Sequence, residues 1–396
     1  MEHTELSMLR YIQETPAQVR ANIAASARLT RRMVELYLAR PYRTVWLVAC
    51  GSSCNAGYCA RYYMKQYLGT EVKIVTPFTF NHYEHDMTPD DFVVCISQSG
   101  CSTNTIESLQ LCRRLGIRAI GLTGNVHSDF EREADEVIDF GLGGEKLDFV
   151  TKGVVTLTAF LMLFALHAAH AQGRLSSQAL EEQKRQMMVC MENYDALISA
   201  FPAYFEANKQ KLLSMERAYL IGAGANYGTA LEGAVKIGET VHILAVGYEV
   251  DEFIHGPQVQ LTPNYNLIFL DPGDETSPRI QQAWKAAHKM TDRVFILSNN
   301  PILQGVGVLR VPHLVSEQLS PLYSLAFVQL MAYYVAQTNN TWHQELICKG
   351  WFLPPNTYDC GSFVVNGTAV VGKEKKSPYN RWKSTQKGAN FYEISI

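Results

Sequence analysis

The second half of this chain repeats the element order of its first, and that repetition constrains the fold more than any single motif. In the first half the apolar, β-branched run TVWLVA (44–49) enters CGSS and then the helix-like CNAGYCARYYMKQYL. EVKIVTP (71–77), FVVCIS (92–97) and RAIGLTG (118–124) read as further strands, separated by helical or turn-rich stretches. In the second half AYLIGAGAN (218–226) enters the helix TALEGAVKIGE, and NLIFLDPGDETSPRIQQAWKAA (266–287) parallels FVVCISQSGCSTNTIESLQ. RVFILSNN (293–300) parallels RAIGLTGN, and the apolar helix LYSLAFVQLMAYYVAQ parallels GVVTLTAFLMLFALHAAHA (153–171). Alternating strands and helices predict a parallel sheet covered on both faces, and a duplicated order predicts two of them. The expected fold class is α/β, with two tandem, doubly wound, flavodoxin-like units.

The pattern sets boundaries. Residues 1–174 hold two helices, ending near Pro41, and the first unit. Residues 175–215 form a charged helical connector, 216–349 the second unit, and 350–396 an appended tail. The tail is rich in Gly, Pro, Asn and Lys, with one expected hairpin around Asn366-Gly367.

Composition narrows the function class. A formal net charge of −3 over 396 residues gives no polyanion-binding surface, so no nucleic-acid partner is expected. The 9 cysteines mostly sit in apolar runs, without a CxxC pair of zinc spacing or a secretory leader. A cytoplasmic protein with free, reduced thiols and no metal site is expected. Residues 153–171 approach membrane-spanning length but contain Thr156, Thr158, His167 and His170, so a buried core or dimer-interface helix is expected, with no membrane partner.

Two turns carry an argument for anion binding. Cys50-Gly51-Ser52-Ser53 and Ser97-Gln98-Ser99-Gly100-Cys101-Ser102-Thr103 each follow a strand and open a helix. Both place hydroxyls and unpaired N–H groups at a helix N-terminus, where the dipole favours an anion. Ser and Thr are also the preferred N-caps, so one such turn alone reads as capping. Two in adjacent βα units favour a phosphate. The second half's counterpart, Asp271-Pro272-Gly273-Asp274-Glu275, is acidic and would repel one.

The segment ALEGAVKIGETVHILAVGYEVDEFIHGP (230–257) carries the acid/base argument. Glu232, Lys236 and Glu239 are spaced i, i+4, i+7 and share one face of an otherwise apolar helix. Buried charges must be paired or working. The bland reading, an internal ion pair, is favoured for Glu232, and a working base is favoured for Glu239. His255, before Gly256 and Pro257, is either a satisfied turn histidine or the second proton-transfer group. Lys152 is either a helix-start lysine or a substrate contact.

At these residues the chain resembles the double-domain sugar isomerase (SIS) family, which includes the isomerase half of glucosamine-6-phosphate synthase and the fructosamine-6-phosphate deglycases. The SQSG turn, the LEGAxKxxE helix and the ExxHGP turn carry the resemblance, over roughly residues 10–348. It implies a first domain that binds the sugar phosphate through Ser52, Ser53, Ser97, Gln98, Ser99 and Ser102. It further implies Glu239 as the proton shuttle, His255 as the ring-opening group, and Lys236 and Glu232 as their neighbours in the site. In such relatives the histidine reaches the site from the neighbouring subunit, which implies a homodimer. The chain departs from the pattern in lacking a glutaminase domain, in having Cys101 where a Glu follows SQSG, and in a tail whose Lys349 is the nearest match to a closing lysine. The resemblance implies a deglycase of 6-phosphorylated fructosamine- or glucosamine-type adducts that needs no cofactor. The alternatives are an aminosugar-phosphate isomerase or deaminase, and a non-catalytic sugar-phosphate sensor.

Overall fold

The computed structural model describes residues 2–146, 149–343, 364–365 and 368–369. Two helices lead, α1 (Glu2–Ala24) and α2 (Ser26–Leu38). The first sheet is threaded by β1 (Thr44–Val48), α3 (Gly51–Leu68), β2 (Glu71–Val75), α4 (Pro77–His82) and β3 (Asp91–Ile96). It continues through α5 (Thr103–Arg114), β4 (Ala119–Thr123), α6 (Phe130–Glu133), β5 (Glu136–Asp139) and α7 (Lys152–Ala171).

The 37-residue α8 (Ser177–Leu213) leads to the second sheet, and Ser176 Oγ caps it by accepting the Ala179 N–H at 3.1 Å. There follow β6 (Arg217–Gly222), α9 (Asn226–Val241), β7 (Leu244–Glu249), α10 (Val250–Ile254) and β8 (Tyr265–Leu270). The half closes with α11 (Ser277–Ala287), β9 (Val294–Ser298), β10 (Val308–Arg310) and α12 (Pro321–Asn339). In the tail, β11 (Val364–Val365) and β12 (Thr368–Ala369) pair antiparallel, and the expected turn residues Asn366 and Gly367 lie outside the described residues. Lys349 lies outside the described residues.

Both sheets are parallel and share one topology: β2-β1-β3-β4-β5 and, in the same relative order, β7-β6-β8-β9-β10. The chain reverses its winding direction between β1 and β3, and again between β6 and β8. Open α/β sheets bind ligands outside the strand C-termini at such a reversal. Strand side chains alternate between faces: Val45 and Leu47 of β1 join a central core, and Trp46 and Val48 an outer one. The second sheet has its own outer core around Tyr219, Phe253 and Phe269.

The central core belongs to both halves, through α3, α7, α8, α9 and α12. The apolar α7 is a core helix, with 83% of its most hydrophobic window buried. The stretch expected to be a connector also builds the core, since α8 buries Cys190, Tyr194 and Phe201. Cys50, Cys54, Cys59, Cys95, Cys112 and Cys190 are free thiols. Cys101 is bonded in a disulfide, contrary to the expectation of free thiols throughout.

Contact between the halves is closest where α3 meets α9. A Cβ at Gly228 would lie 2.5 Å from the Cys59 nitrogen and 2.8 Å from the Asn55 carbonyl oxygen, so only glycine permits this backbone approach.

Candidate active site

Both expected anion-binding turns lie at the winding reversal of the first sheet. Cys50 is extended and its side chain does not cap α3; Ser102 likewise gives no side-chain cap to α5. The capping explanation for these serines therefore fails at both turns. Ser102 Oγ instead meets Ser97 Oγ at 2.9 Å, and Ser97 Oγ accepts the Gly100 N–H at 3.2 Å. Ser99 is exposed, and its Oγ accepts the Cys101 N–H at 3.2 Å. Asn104 Nδ2 donates to Cys50 Sγ at 3.4 Å and ties the two turns together. Two buried hydroxyls beside the second turn, Thr103 Oγ1 and Ser128 Oγ, have no protein partner. Gly51 has φ +57°, and a Cβ there would meet nothing within 4 Å: the space above the first turn is open. Donors and hydroxyls around open space suit an anion.

Gln98 points elsewhere. Its Nε2 donates to Glu145 Oε2 at 2.8 Å. That carboxylate also accepts the N–H groups of Thr151, Lys152 and Gly153, and so caps α7. A Cβ at Gly153 would lie 1.7 Å from Gln98 Oε1, so a larger residue there would displace this amide from its present position. Lys152 is settled as a helix-start residue: it is buried and its Nζ pairs with Glu14 at 3.4 Å. The pairing holds the Glu14 carboxyl low, with Arg10 the larger cause and Lys152 a lesser one.

Glu232, Lys236 and Glu239 do share one face of α9, and that face meets the first half. Ser52 Oγ donates to Glu232 Oε1 at 2.9 Å and Asn55 Nδ2 to Oε2 at 2.8 Å. Lys236 Nζ stands 3.6 Å from Glu232 Oε1 and donates to Glu239 Oε2 at 2.5 Å. Glu232 and Lys236 have no solvent exposure, whereas the Glu239 side chain is 41% exposed. Burial raises the Glu232 carboxyl pKa, and Lys236, Asn55 and Ser52 oppose that shift. Glu232 is thus the internal brace. The apolar setting expected for Glu239 is not found: it sits half-exposed against a lysine, because it falls past the end of the packed α3–α9 contact.

The direction of α9 explains this. Gly228 packs on Cys59 and Asn55, and Glu232 on Asn55 and Ser52, so α9 runs antiparallel to α3 toward its N-terminus. A rise of about 1.5 Å per residue carries Glu239 roughly 10 Å beyond Glu232, past the start of α3 and onto the side of the open turns.

His255 is not brought to Glu239 within the chain. Glu239 precedes the start of β7 and His255 follows its end, and six extended residues span roughly 20 Å. His255 is exposed, and its Nδ1–H donates to the Asp251 carbonyl at 2.8 Å, which leaves Nε2 to meet a second partner.

The second half's equivalent turn is filled from inside. Gly224, with φ +53°, matches Gly51, but a Cβ there would lie 2.5 Å from Glu317 Oε1. That carboxylate accepts the Ala225 N–H at 2.6 Å. Burial pushes the Glu317 carboxyl up to about 7, opposed by the N–H donors of Ala225 and Asn226. In the neighbouring acidic turn, Asp271 accepts from Ser298 at 2.7 Å and Gln281 at 2.9 Å, and also from Ser277.

Sequence reasoning missed Asn55, Ser128, Glu145 and Glu317. Asn55 had a signal, since it lies at i+3 from Ser52 on one helix face. The others meet partners that no local spacing reveals.

The SIS domain family matches this chain twice, over residues 40–166 and 211–338, and the chain belongs to that family. Among curated proteins it is 28% identical, over 312 residues, to glutamine–fructose-6-phosphate aminotransferase (isomerizing) of Neisseria meningitidis, covering 76% of this chain and 49% of that protein. The chain thus spans about half the length of that relative. Among solved structures it resembles the C-terminal domain of glucosamine-fructose-6-phosphate aminotransferase from Francisella tularensis, with TM-score 0.75, 23% identity, and 85% and 96% of the two chains covered. It also resembles glucosamine-6-phosphate deaminase of Thermotoga maritima, with TM-score 0.58, 18% identity, and 83% and 98% covered. Two tandem SIS domains are the class that fold and family define.

Proposed function

We propose that this protein is a deglycase of 6-phosphorylated fructosamine- or glucosamine-type adducts, working by a proton shuttle between C1 and C2 of the sugar. The observation that carries this reading is the run from Ser52 and Asn55 through Glu232 and Lys236 to a half-exposed Glu239, beside an uncapped, open pair of turns. In this reading the phosphate rests on the N–H groups and hydroxyls of Ser52, Ser53, Ser97, Ser99 and Ser102. Gln98 braces the turn through Glu145. Lys236 aims the Glu239 carboxylate through its hydrogen bond to Oε2.

Glu239 removes a proton from C1 of the ketosamine, and the electron pair forms the C1=C2 enolamine as the C2 oxygen gains a proton. Return of the proton to C2, with loss of the nitrogen's proton to the group that protonated the C2 oxygen, gives the aldimine. Water then adds across C1=N, releasing the free amine and hexose 6-phosphate. Ring opening needs a proton moved between ring oxygen and anomeric hydroxyl. His255 of the partner subunit supplies this in a homodimer, since it is exposed, has a free Nε2, and lies remote from its own Glu239.

The second reading, an aminosugar-phosphate isomerase or deaminase using the same groups, is favoured by the aminotransferase relatives. Mass spectrometry after incubation with fructoselysine 6-phosphate and with glucosamine 6-phosphate separates the two. Lysine plus glucose 6-phosphate supports the first; ammonia, or fructose and glucosamine phosphates interconverted, supports the second. Binding without turnover would leave a sensor. Glu239→Gln is expected to lower turnover about 10²- to 10⁴-fold with sugar-phosphate binding retained. Mixing Glu239→Gln with His255→Ala chains is expected to restore activity. Full activity in Glu239→Gln rejects the mechanism.

A further inference from the structure

The two sheets present the same left-handed glycine at the same turn, Gly51 at φ +57° and Gly224 at φ +53°. Above Gly51 lies open space, whereas above Gly224 lies a carboxylate. That carboxylate comes from Glu317, in the 3-10 turn Glu317–Leu319 just before α12, 92 residues from the Ala225 N–H that it accepts at 2.6 Å. It also accepts from the Asn226 backbone. The same short stretch is fixed from the far side. Ser320 Oγ accepts from Asn226 Nδ2 at 2.8 Å and donates to the Glu317 carbonyl at 2.6 Å, so side chain and backbone of Glu317–Ser320 grip the first turn of α9 together. Ala225 gives α9 no side-chain cap of its own. The helix so gripped is the one that carries Glu232, Lys236 and Glu239.

We infer that Glu317 is a positioning residue: its carboxylate is a built-in anion that clamps the start of α9, and through that helix it fixes where Lys236 and Glu239 stand relative to the first domain's open turns. The catalytic consequence rests on the proposed proton shuttle; the clamp does not. A helix held near its middle by the bonds of Glu232 to Ser52 and Asn55, and at its start by Glu317, cannot slide along α3. Displacement by even an ångström at the reacting carbons costs up to about 100-fold in rate. The first domain needs no such residue, because its turn receives the substrate's phosphate.

The clamp is proton-sensitive. Burial raises the Glu317 carboxyl to about 7, and Asp274 raises it further against the two N–H donors. The other titratable groups that feel Glu317 are Cys59 on α3 and Tyr323 on α12, both buried and shifted upward, hence neutral through this range. Asp274 is the acidic neighbour whose proximity adds to the upward shift of Glu317. Protonation leaves a weaker acceptor for Ala225.

The test is selective ¹⁵N-alanine labelling of the whole protein, with the Ala225 amide followed between pH 5 and 9. Its shift is expected to titrate with a midpoint near 7 in the wild type and to lose that titration in Glu317→Gln. On fructoselysine 6-phosphate or glucosamine 6-phosphate, whichever is turned over, Glu317→Gln is expected to lower kcat about 10-fold or more with KM within about 3-fold. Glu317→Asp should recover part of the loss, and the acid limb of the pH–kcat profile near 7 should vanish in Glu317→Gln. An Ala225 amide that does not titrate in the wild type overturns the clamp. A titrating amide with unchanged kcat and pH profile in Glu317→Gln overturns positioning. Absence of any turnover by the wild type rejects the proton-shuttle reading instead, and the amide titration still decides the clamp, even if a variant fails to fold.

Discussion

The turn at Gly51 and the turn at Gly224 are the same piece of architecture put to opposite uses. Each follows the first strand of its sheet, each uses a left-handed glycine, and each opens a helix without a side-chain cap. In the first domain the hydroxyls of Ser52, Ser53, Ser97 and Ser102 surround open space. In the second, Ala225 and Asn226 replace the two serines, the facing turn is acidic, and Glu317 closes over the top. A duplicated fold supplies two equivalent strand-to-helix turns. Divergence leaves one facing outward and makes the other an internal joint.

Three experiments press on that contrast. The largest effect is expected where the halves exchange charge. Glu232→Ala strands Lys236, fully buried, with Glu239 as its remaining counterion, and should cost about 3–5 kcal/mol in urea unfolding. Glu232→Gln, which keeps an acceptor for Ser52 and Asn55, should cost clearly less. Equal losses would show that packing, and not the charge, joins the halves.

The next effect concerns pH. Glu317 has a folded-state pKa of about 7 against an ordinary 4.5, so between these values the folded chain holds a proton that the unfolded chain has lost. Its contribution to stability is therefore full below about 4.5 and is lost as pH rises through 7. The change amounts to at most roughly 3 kcal/mol, less for the solvent contact the carboxyl keeps. Unfolding free energies measured from pH 5 to 8 should show this slope in the wild type and a flatter profile in Glu317→Gln. An identical slope in both would place the titration elsewhere.

The smallest effect compares the glycines directly. Gly51→Ala meets only left-handed backbone strain, about 1 kcal/mol. Gly224→Ala adds a 2.5 Å approach to the Glu317 carboxylate and should cost about 1 kcal/mol more. Combining Gly224→Ala with Glu317→Ala should give back that excess, a non-additivity that Gly51→Ala will not share. Equal costs at the two glycines would mean that Glu317 yields freely.

Much of this was legible from residue order. β-branched runs alternating with helical stretches specified the parallel sheets, because a parallel pair needs a crossover and the crossover here is a helix. Spacing on α9 put Glu232, Lys236 and Glu239 on one face, which geometry within one helix guarantees. The pair of serine turns was legible as a phosphate site in preference to caps, and the observed side-chain bonds removed the capping alternative. The environment of Glu239 was misread, since apolar neighbours in sequence do not say where the packed contact with α3 stops. Glu145 and Glu317 were silent, their partners lying 47 and 92 residues away.

The sequence by itself determined two copies of one sheet topology and the charged face of α9, because strand alternation and helical periodicity are local properties of the chain. Tertiary structure alone decided which copy keeps its turn open, which carboxylate braces and which stays exposed. Those outcomes depend on where α3, α9 and the Glu317 turn meet, and on burial, which exists only once distant segments have packed.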